Sequence, residues 1–246
     1  MPDQLPEGFL PDPEDILRFV TAVVEATAEF AAAYKPNSAF YEALGPPGME
    51  VLQAVIAAVP SGIPVILDVK RGDIGHTATR YADAAFGVYG AAAVTVHSYL
   101  GRDSVEPFLA WPDRGVFIVC RTSNPGAVDV EDLAAGGRPL YLEVARLARE
   151  WDDHGGVGLV CGATYPEEMA GVRAECPGMP ILVPGVGAQG GDTTAAAQAA
   201  AGMQRRDPFV ISASRSIAHA GNGHDFQHAA AQAAQRLRQE IEDALV

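Results

Sequence analysis

The sequence predicts an α/β fold built on a parallel sheet. Short apolar segments alternate with longer segments of helical periodicity, and the pattern repeats at intervals of about 25 to 30 residues. The alternation begins with a helix and each later helix follows a strand, so we count about seven strands against eight helices. The reconstruction that fits is a (β/α)8 TIM barrel, in a single domain over residues 1–246, from which the first strand is missing.

Helices and strands can be placed along the chain from their start and stop signals. Asp12 is a suitable cap for a helix that begins at Pro13, and Glu14 and Asp15 complement its amino-terminal dipole. The predicted helices cover residues 13–31, 47–59, 75–86, 103–111, 139–154, 166–175 and 193–201, with a last one from residue 225. The predicted strands cover residues 32–36, 64–70, 92–97, 116–121, 157–162, 181–184 and 209–213. An open, doubly wound sheet is the competing architecture.

Composition argues against several classes of function. Lys and Arg total 17 against 31 acidic residues, the net charge is −14, and no basic run is present that could bind DNA or RNA. A small phosphorylated ligand needs only one or two local cations. No apolar run approaches the length of a membrane span, so we expect no membrane partner. Cys120, Cys161 and Cys176 lack metal-ligand or redox spacing and indicate buried thiols in a cytoplasmic protein.

The stretch VILDVKRGDI, residues 65–74, has an unusual end for a buried strand. Its apolar run is followed by Asp68, Lys70, Arg71 and Asp73. Strand alternation places Asp68 and Lys70 on one face, and Asp73 falls in the turn that opens the next helix. For an isolated Asp-x-Lys pair, a structural ion pair at the end of the strand is the simplest explanation. A functional explanation requires other polar residues at the same end of the sheet.

Such residues do end other predicted strands. The carboxyl ends of barrel strands converge on one mouth, where ligands bind. Six polar residues lie at or just beyond strand ends, namely Lys35, Asp68, Lys70, His97, Ser123 and Arg215. A single charge at such a place is usually a solvated rim residue, but this clustering predicts an active site at the mouth. His76 and His97 are weaker acid–base candidates, and their roles stay open.

A glycine-rich stretch, PGVGAQGG over residues 184–191, matches G-x-G-x-x-G through Gly185, Gly187 and Gly190. A dinucleotide site normally has this motif early and an acid at the end of the next strand, whereas here the motif is late and the next strand reads FVISAS. The alternative is that its backbone N–H groups bind a phosphate, with Arg215 on the other side. A turn that needs glycine only for its backbone geometry also stays open.

Taken together, these motifs resemble those of a known enzyme family. DVKRGDIG, TSNPGA and VPGVGAQGG followed by SRSI are similar to motifs of orotidine 5′-phosphate decarboxylases, notably the bacterial type 2-like branch, over nearly the whole chain. The resemblance implies decarboxylation of orotidine 5′-monophosphate to uridine 5′-monophosphate in pyrimidine biosynthesis. It also implies that no metal or organic cofactor takes part, and that the enzyme is a cytoplasmic homodimer with shared active sites.

The resemblance also implies roles for residues of this sequence. Lys35, Asp68, Lys70 and Asp73 would form a charge network in which protonation belongs to the whole set. Lys70 would donate a proton to C6, Asp68 would face the departing carboxylate, and Asp73 would reach into the neighbouring subunit's site. The implied substrate-binding residues are Ile74 and Thr77 in the neighbouring subunit's site, Ser123 at the pyrimidine edge, Pro184, and, for the phosphate, Gln189 and Arg215.

One element of the family pattern is missing from the sequence. Members have a first strand that ends in an Asp near the charge network, and nothing in MPDQLPEGFL corresponds to it. We therefore expect the true start to lie upstream of Met1. Two other functions stay open. A magnesium-dependent 3-hexulose-6-phosphate synthase-like enzyme would be expected to carry an acid in place of Lys35, and a non-catalytic phosphate-binding barrel would bind its ligand without turnover.

Overall fold

The structure is a computed structural model that describes residues 5–187 and 190–246. Its strands are β1 (Ile66–Arg71), β2 (Ala93–Val96), β3 (Gly115–Arg121), β4 (Ala134–Ala135), β5 (Arg138–Pro139), β6 (Val157–Cys161), β7 (Ile181–Pro184) and β8 (Phe209–Ser212). Six of them form one parallel sheet in the order β1-β2-β3-β6-β7-β8. The strands predicted from residue 64 onward are confirmed, with small differences at their ends.

Helices follow the strands as the alternation predicts. They are α1 (Pro13–Thr27), α2 (Ala39–Glu42), α3 (Pro46–Ala58), α4 (Gly75–Ala82), α5 (Arg102–Leu109), α6 (Leu140–Trp151), α7 (Pro166–Glu175), α8 (Thr193–Ala201), α9 (Arg215–Ala218) and α10 (Phe226–Ala244). The predicted cap is confirmed, because the Asp12 side chain accepts the Asp15 N–H at 3.0 Å. The one-turn helices α2 and α9 were not predicted, since four residues are too few to show helical periodicity.

Alternation along the strands divides the apolar side chains between two cores. The larger core lies between the sheet and the helices and contains Leu67, Val94, Ile118, Leu159 and Ile181. The smaller core lies on the opposite face of the sheet and contains Ile66, Ala93, Phe117, Val119, Val160 and Leu182. Both Ile66 and Leu182 line a single cleft, although they belong to distant strands. The sheet is therefore curled, as in a TIM-barrel-like fold, and its smaller core is the inside of the curl.

The predicted strand over residues 32–36 is wrong in extent. This segment joins the edge of the sheet only through two isolated parallel bridges, Tyr34 with Val65 and Asn37 with Asp68. Pro36 supplies a carbonyl to the Asp68 N–H at 2.9 Å, but a proline has no N–H to donate in return. We call residues 34–37 the edge segment. It aligns with β1 without forming a regular strand.

A cleft of about 680 Å³ separates the edge segment from β8. It is lined mainly by apolar side chains, among them Ala33, Val210, Val24 of α1 and Leu237 of α10. In the described part of the chain, β8 pairs with β7 and with no other strand. We call this cleft the seam, because it lies between the two ends of the curled sheet.

The loop from residue 122 to residue 138, predicted to be irregular, contains a 3-10 turn (Pro125–Asp129) and the β4–β5 ladder. All three cysteines are free and buried, as predicted. None of the helices in the described ranges combines the length and the apolar composition that crossing a bilayer requires.

Candidate active site

Several strands place polar side chains inside the curled sheet at their carboxyl ends. The inner face of β1 carries Ile66 and then Asp68, and that of β2 carries Ala93 and then Thr95. Beside β1, Lys35 of the edge segment follows Ala33, the residue before that segment, in the same way. Alternation thus brings side chains from separate parts of the sequence to one mouth, as the fold prediction required.

Asp68 is the centre of this group. Its side chain is 6% exposed and each carboxylate oxygen is bonded by an ammonium, Oδ2 by Lys35 Nζ at 2.7 Å and Oδ1 by Lys70 Nζ at 2.5 Å. Two neutral donors complete the set, because Thr95 donates its hydroxyl to Oδ1 at 3.0 Å and Asn37 its amide to Oδ2 at 3.4 Å. The buried charge is therefore paired and fully hydrogen-bonded, which is the condition for burying a carboxylate at acceptable free energy.

The electrostatics of Asp68 follow from these contacts. Burial raises the pKa of the carboxyl, but the charges and hydrogen bonds of Lys35 and Lys70 together outweigh burial and hold the pKa below its ordinary value. The two ammonium groups differ in access, since the side chain of Lys35 is 14% exposed and that of Lys70 is 41% exposed. Lys70 is thus the cation that a ligand in the mouth can reach.

The path of β1 differs from regular alternation at Lys70. Leu67 pairs with Val94 and Arg71 with Val96, so three residues of β1 lie opposite one residue of β2. Lys70 has φ 45°, a left-handed conformation that is uncommon for a residue with a side chain. Asp68 and Lys70 do lie together as expected, but an irregularity in the strand produces this contact, and simple alternation does not.

Asp73, Ile74 and Thr77 form no hydrogen bond or ion pair with the Asp68 cluster among the described residues. The carboxylate of Asp73 accepts the N–H of Ile74 at 2.8 Å and, within residues 5–187 and 190–246, forms no ion pair. Ile74 precedes α4 with 57% of its surface exposed, and Thr77 is exposed on the first turn of that helix. The structure of this chain therefore brings together three members of the expected charge network, and the half-buried Asp73 is not paired with them.

Ser123 is held at the mouth by a tightly bonded loop. Glu131 accepts both the N–H and the hydroxyl of Thr122, at 2.8 and 2.7 Å, and pairs with the buried Arg121 at 3.0 Å. A Cβ on Gly162 would lie 2.7 Å from the Ser123 nitrogen, so only glycine permits this approach of the next strand end. The bonds of Glu131 thus fix the start of the loop after β3, where Ser123 lies half-buried.

The glycine-rich loop lies beside α9. Gly187 has φ 74°, and a Cβ there would be 3.6 Å from the Ser216 hydroxyl, next to the exposed Arg215. Pro184, the last residue of β7, is half-buried and accepts the N–H of Ala163 at 2.8 Å. The predicted phosphate ligand Gln189 lies outside the described residues. The structure therefore brings the loop and the start of α9 together, as the phosphate-binding interpretation requires.

Two polar partners of Asp68 escaped the sequence analysis. Thr95 is a lone polar residue inside the apolar run AAAVTV, and Asn37 follows Lys35 by two positions. Both stand at alternate positions that point to the inside of the curled sheet, which is the signal that could have found them.

The pKa of His97 is lowered by desolvation and by the nearby Lys70 charge. Among the described residues, no three His, Cys, Asp or Glu side chains cluster in a way that could hold a metal ion.

Fold and site together define an enzyme of the TIM-barrel-like α/β class, with its polar groups at the carboxyl ends of the strands. A family model described as orotidine 5′-phosphate decarboxylase / HUMPS family matches residues 11–231. A protein of Roseiflexus castenholzii named orotidine 5′-phosphate decarboxylase is 50% identical over 248 residues, which cover 100% of this chain and 89% of that protein. An orotidine 5′-phosphate decarboxylase of Thermomicrobium roseum is 48% identical, over 98% of this chain and 86% of the relative.

Solved structures agree with these relatives. The OMP decarboxylase of Leishmania donovani superposes with a TM-score of 0.88 at 40% identity, covering 98% of this chain and 91% of that one. The UMP synthase of the same organism superposes with a TM-score of 0.89 at 43% identity, covering 95% of this chain and 51% of that one. The chain belongs to the orotidine 5′-phosphate decarboxylase / HUMPS family.

The paired state of Asp68 leads to a pH-dependent stability. The pKa of Asp68 is lowered in the folded protein from its ordinary value of 3.8. The pairing of Asp68 therefore stabilises the folded protein fully at pH values above 3.8, and this stabilisation is lost as the pH falls through the pKa of the folded state. Breaking a buried pair costs about 3–5 kcal/mol. We expect Asp68→Asn to lower the free energy of unfolding by that order at pH 7, and the difference from the unsubstituted protein to shrink below pH 4.

Urea unfolding between pH 7 and pH 3 measures this difference. Asp113→Asn, a change of an exposed acid without an ion pair among the described residues, is the matched control and should stay within about 0.5 kcal/mol of the original. A difference between Asp68→Asn and the original that is independent of pH would contradict the paired state.

Proposed function

We propose that this protein decarboxylates orotidine 5′-monophosphate to uridine 5′-monophosphate in pyrimidine biosynthesis, without a metal or organic cofactor. The observation that carries the proposal is the Lys35–Asp68–Lys70 array at the mouth, with Lys70 as its accessible end. Membership of the family supplies the reaction and the substrate. The three free, buried cysteines fit a reducing cytoplasmic setting. We also propose that residues 1–246 form a single domain.

In the proposed reaction, the bond between C6 and the carboxylate breaks, carbon dioxide leaves, and the electron pair stays on C6. The Lys70 ammonium donates the proton that forms the new C–H bond, because it is the accessible cation beside Asp68. The buried Asp68 carboxylate faces the substrate carboxylate. The two negative charges repel each other, and the repulsion is relieved as carbon dioxide departs. Lys35 keeps Asp68 ionised, since an ammonium 2.7 Å away stabilises the charged form.

Groups distant from C6 bind the rest of the substrate in this proposal. Ser123 and Pro184 contact the pyrimidine, and the loop of residues 185–191 with Arg215 binds the phosphate. The approach of Gly187 to the start of α9 supports a common phosphate site for this loop and Arg215. Binding energy from the phosphate is then available to orient the base over Lys70.

The two alternatives have less support. A magnesium-dependent relative would need an acid where Lys35 stands, and an ammonium there repels a divalent cation. A non-catalytic phosphate-binding barrel has no need of a buried carboxylate between two ammonium groups, which is costly to assemble. Both alternatives differ from the proposed reaction in measurable ways.

Lys70→Ala tests the chemical role of Lys70. We expect kcat to fall by at least about 10²–10⁴-fold, because the proton donor is lost, while affinity for uridine 5′-monophosphate stays within a few-fold. Loss of absorbance from orotidine 5′-monophosphate measures the rate, calorimetry measures the affinity, and a chelator added to the original enzyme should have no effect. Arg80→Ala, at an exposed helical position, is the control and should retain full activity. An active Lys70→Ala protein would remove the assigned role, and inhibition by the chelator would favour a metal enzyme.

We also propose a homodimer with shared active sites. Large apolar side chains are exposed just beyond the edge segment, β1 and β2, namely Phe40, Ile74, Tyr99 and Leu100. Exposed apolar residues grouped at one end of a protein mark an interaction surface. Asp73, Ile74 and Thr77 follow β1, and Asp73 forms no ion pair with Lys35 or Lys70 of its own chain in the part that the structure describes. A second copy of the chain, related by a two-fold axis, would receive these residues at its own mouth.

Mixing two inactive variants tests the shared site. In a hybrid of Lys70→Ala and Asp73→Asn subunits, one site carries both changes and the other carries neither. Since random pairing makes half of the dimers hybrid, we expect co-expression to restore about a quarter of the original activity. Each variant expressed alone should stay inactive. A mixture that sediments as dimers and shows no recovery would place Asp73 and Lys70 in the same subunit's site.

Closure of the barrel is a further part of the proposal. We propose that a parallel strand, joined to the chain ahead of Leu5, occupies the seam between the edge segment and β8. The course of residues 5–12 supports this direction, because the N–H of Glu7 bonds Asn222 O in the loop between α9 and α10, which follow β8 along the chain. A strand that ends at the mouth and leads into α1 runs parallel to its neighbours, as the βα pattern demands.

Extended proteins test the seam. A designed apolar strand with a short linker, placed before residue 5, should raise the thermal midpoint, because it pairs two free edges and covers the apolar cleft. A gain of about 1 kcal/mol corresponds to roughly 2–4 °C in a chain of this size. An extension of equal length with the apolar residues replaced by Ser and Asn is the matched control. Equal midpoints for the two extended proteins would contradict occupation of the seam.

A further inference from the structure

The irregularity in β1 leaves backbone donors without strand partners. Between the pairs Leu67–Val94 and Arg71–Val96, β1 contains three residues and β2 contains only Thr95. One residue of a parallel neighbour cannot supply carbonyl partners to all of the N–H groups in such a stretch. A backbone N–H that has no strand partner bonds to another acceptor of the protein or to water.

The hydroxyl of Thr95 is that acceptor. Its Oγ1 accepts the N–H of Val69 and the N–H of Lys70, each at 3.0 Å. The same hydroxyl donates to Asp68 Oδ1 at 3.0 Å, and Thr95 is 1% exposed. A hydroxyl has two lone pairs and one hydrogen, so these three bonds use its whole capacity. Because both lone pairs are occupied by N–H donors, the hydrogen can point only towards Asp68.

We propose that Thr95 is a positioning residue for the decarboxylation, an inference that rests on the proposed function. Its two accepted hydrogen bonds hold the backbone of Lys70 in the left-handed conformation, with φ 45°. That conformation turns the Lys70 side chain back towards the carboxylate two residues earlier. Its donated bond fixes the rotation of the same carboxylate. One hydroxyl thus sets the relative position of the proton donor and its acidic neighbour, although it does not touch the substrate.

The consequence for catalysis is specific. Loss of the hydroxyl frees the Lys70 backbone to return to an extended conformation and removes one of the four donors to Asp68. A displacement of a reacting group by about 1 Å lowers the rate by about 10²-fold. Binding of the ribose phosphate depends on other loops, so it should change little. A role confined to general stability would not separate kcat from ligand affinity in this way.

Four variants form the test. Thr95→Val keeps the shape of the side chain and removes the hydroxyl, Thr95→Ala also removes it with less steric demand, and Thr95→Ser restores it. Ser104→Ala is the matched control, because Ser104 is also 1% exposed and its hydroxyl donates to the O of Gly101, the cap of α5, and not to a member of the Asp68 cluster. The measurements are kcat and KM for orotidine 5′-monophosphate, affinity for uridine 5′-monophosphate, and the thermal midpoint.

We expect Thr95→Val and Thr95→Ala to lower kcat by about 10²-fold, with KM and product affinity within about threefold of the original, and Thr95→Ser to recover most of the rate. Ser104→Ala should lose thermal stability and keep its kcat. The inference is overturned if either Thr95 variant without a hydroxyl keeps the original kcat, if Thr95→Ser is as slow as Thr95→Ala, or if Ser104→Ala loses as much rate. An original protein without decarboxylase activity would instead contradict the proposed function.

Discussion

The buried carboxylate of Asp68 is the constraint on which the arrangement of the site depends. A charge that is 6% exposed must be paired and hydrogen-bonded, or its desolvation would destabilise the folded state. Its four side-chain donors come from the edge segment, β1 and β2, so their geometry is correct only when these three elements are in register. The need to satisfy one anion therefore links the polar chemistry of the mouth to the strand order of the fold.

The same residue also holds the edge segment in place. The backbone of Asp68 accepts the Ser38 N–H at 3.2 Å and donates to Pro36 O at 2.9 Å, while its side chain bonds Lys35 and Asn37. The edge segment has two further backbone hydrogen bonds in this direction, from the Tyr34 N–H to Pro64 O at 3.0 Å and from the Ile66 N–H to Tyr34 O at 2.8 Å. The dependence is mutual, because Lys35 keeps Asp68 ionised and Asp68 fixes the segment that carries Lys35. Loss of either partner affects both the charge and the backbone.

Much of the fold could be predicted from local signals, and the exceptions have physical causes. The alternation of apolar strands with helices was sufficient to place β1, β2, β3, β6, β7 and β8. For α7 and α8, the first and last residues are those that the sequence predicted. The strand over residues 32–36 failed because regular pairing depends on a neighbour, and Pro36 removes a donor. The sequence predicted that Asp68 and Lys70 would lie together, but it did so from strand alternation alone and missed the irregularity in β1. The irregular register is accompanied by tertiary hydrogen bonds to Thr95, which no periodicity in the sequence reveals.

The two surfaces for which we propose a further strand and a second copy of the chain both border the Asp68 cluster. Lys35 lies on the edge segment beside the seam, while Asp73 follows β1 at the surface where apolar residues are exposed. In a barrel, the active site lies at the carboxyl ends of the strands and in the loops that follow them, and the Asp68 cluster lies where the edge segment, β1 and β2 end. Closing the seam would fix Lys35 from its second side, and a second subunit would bring its Asp73 to the mouth. In the proposed assembly, the cluster of one chain would therefore be a preorganised core, to which a strand and a neighbouring subunit would each add one boundary.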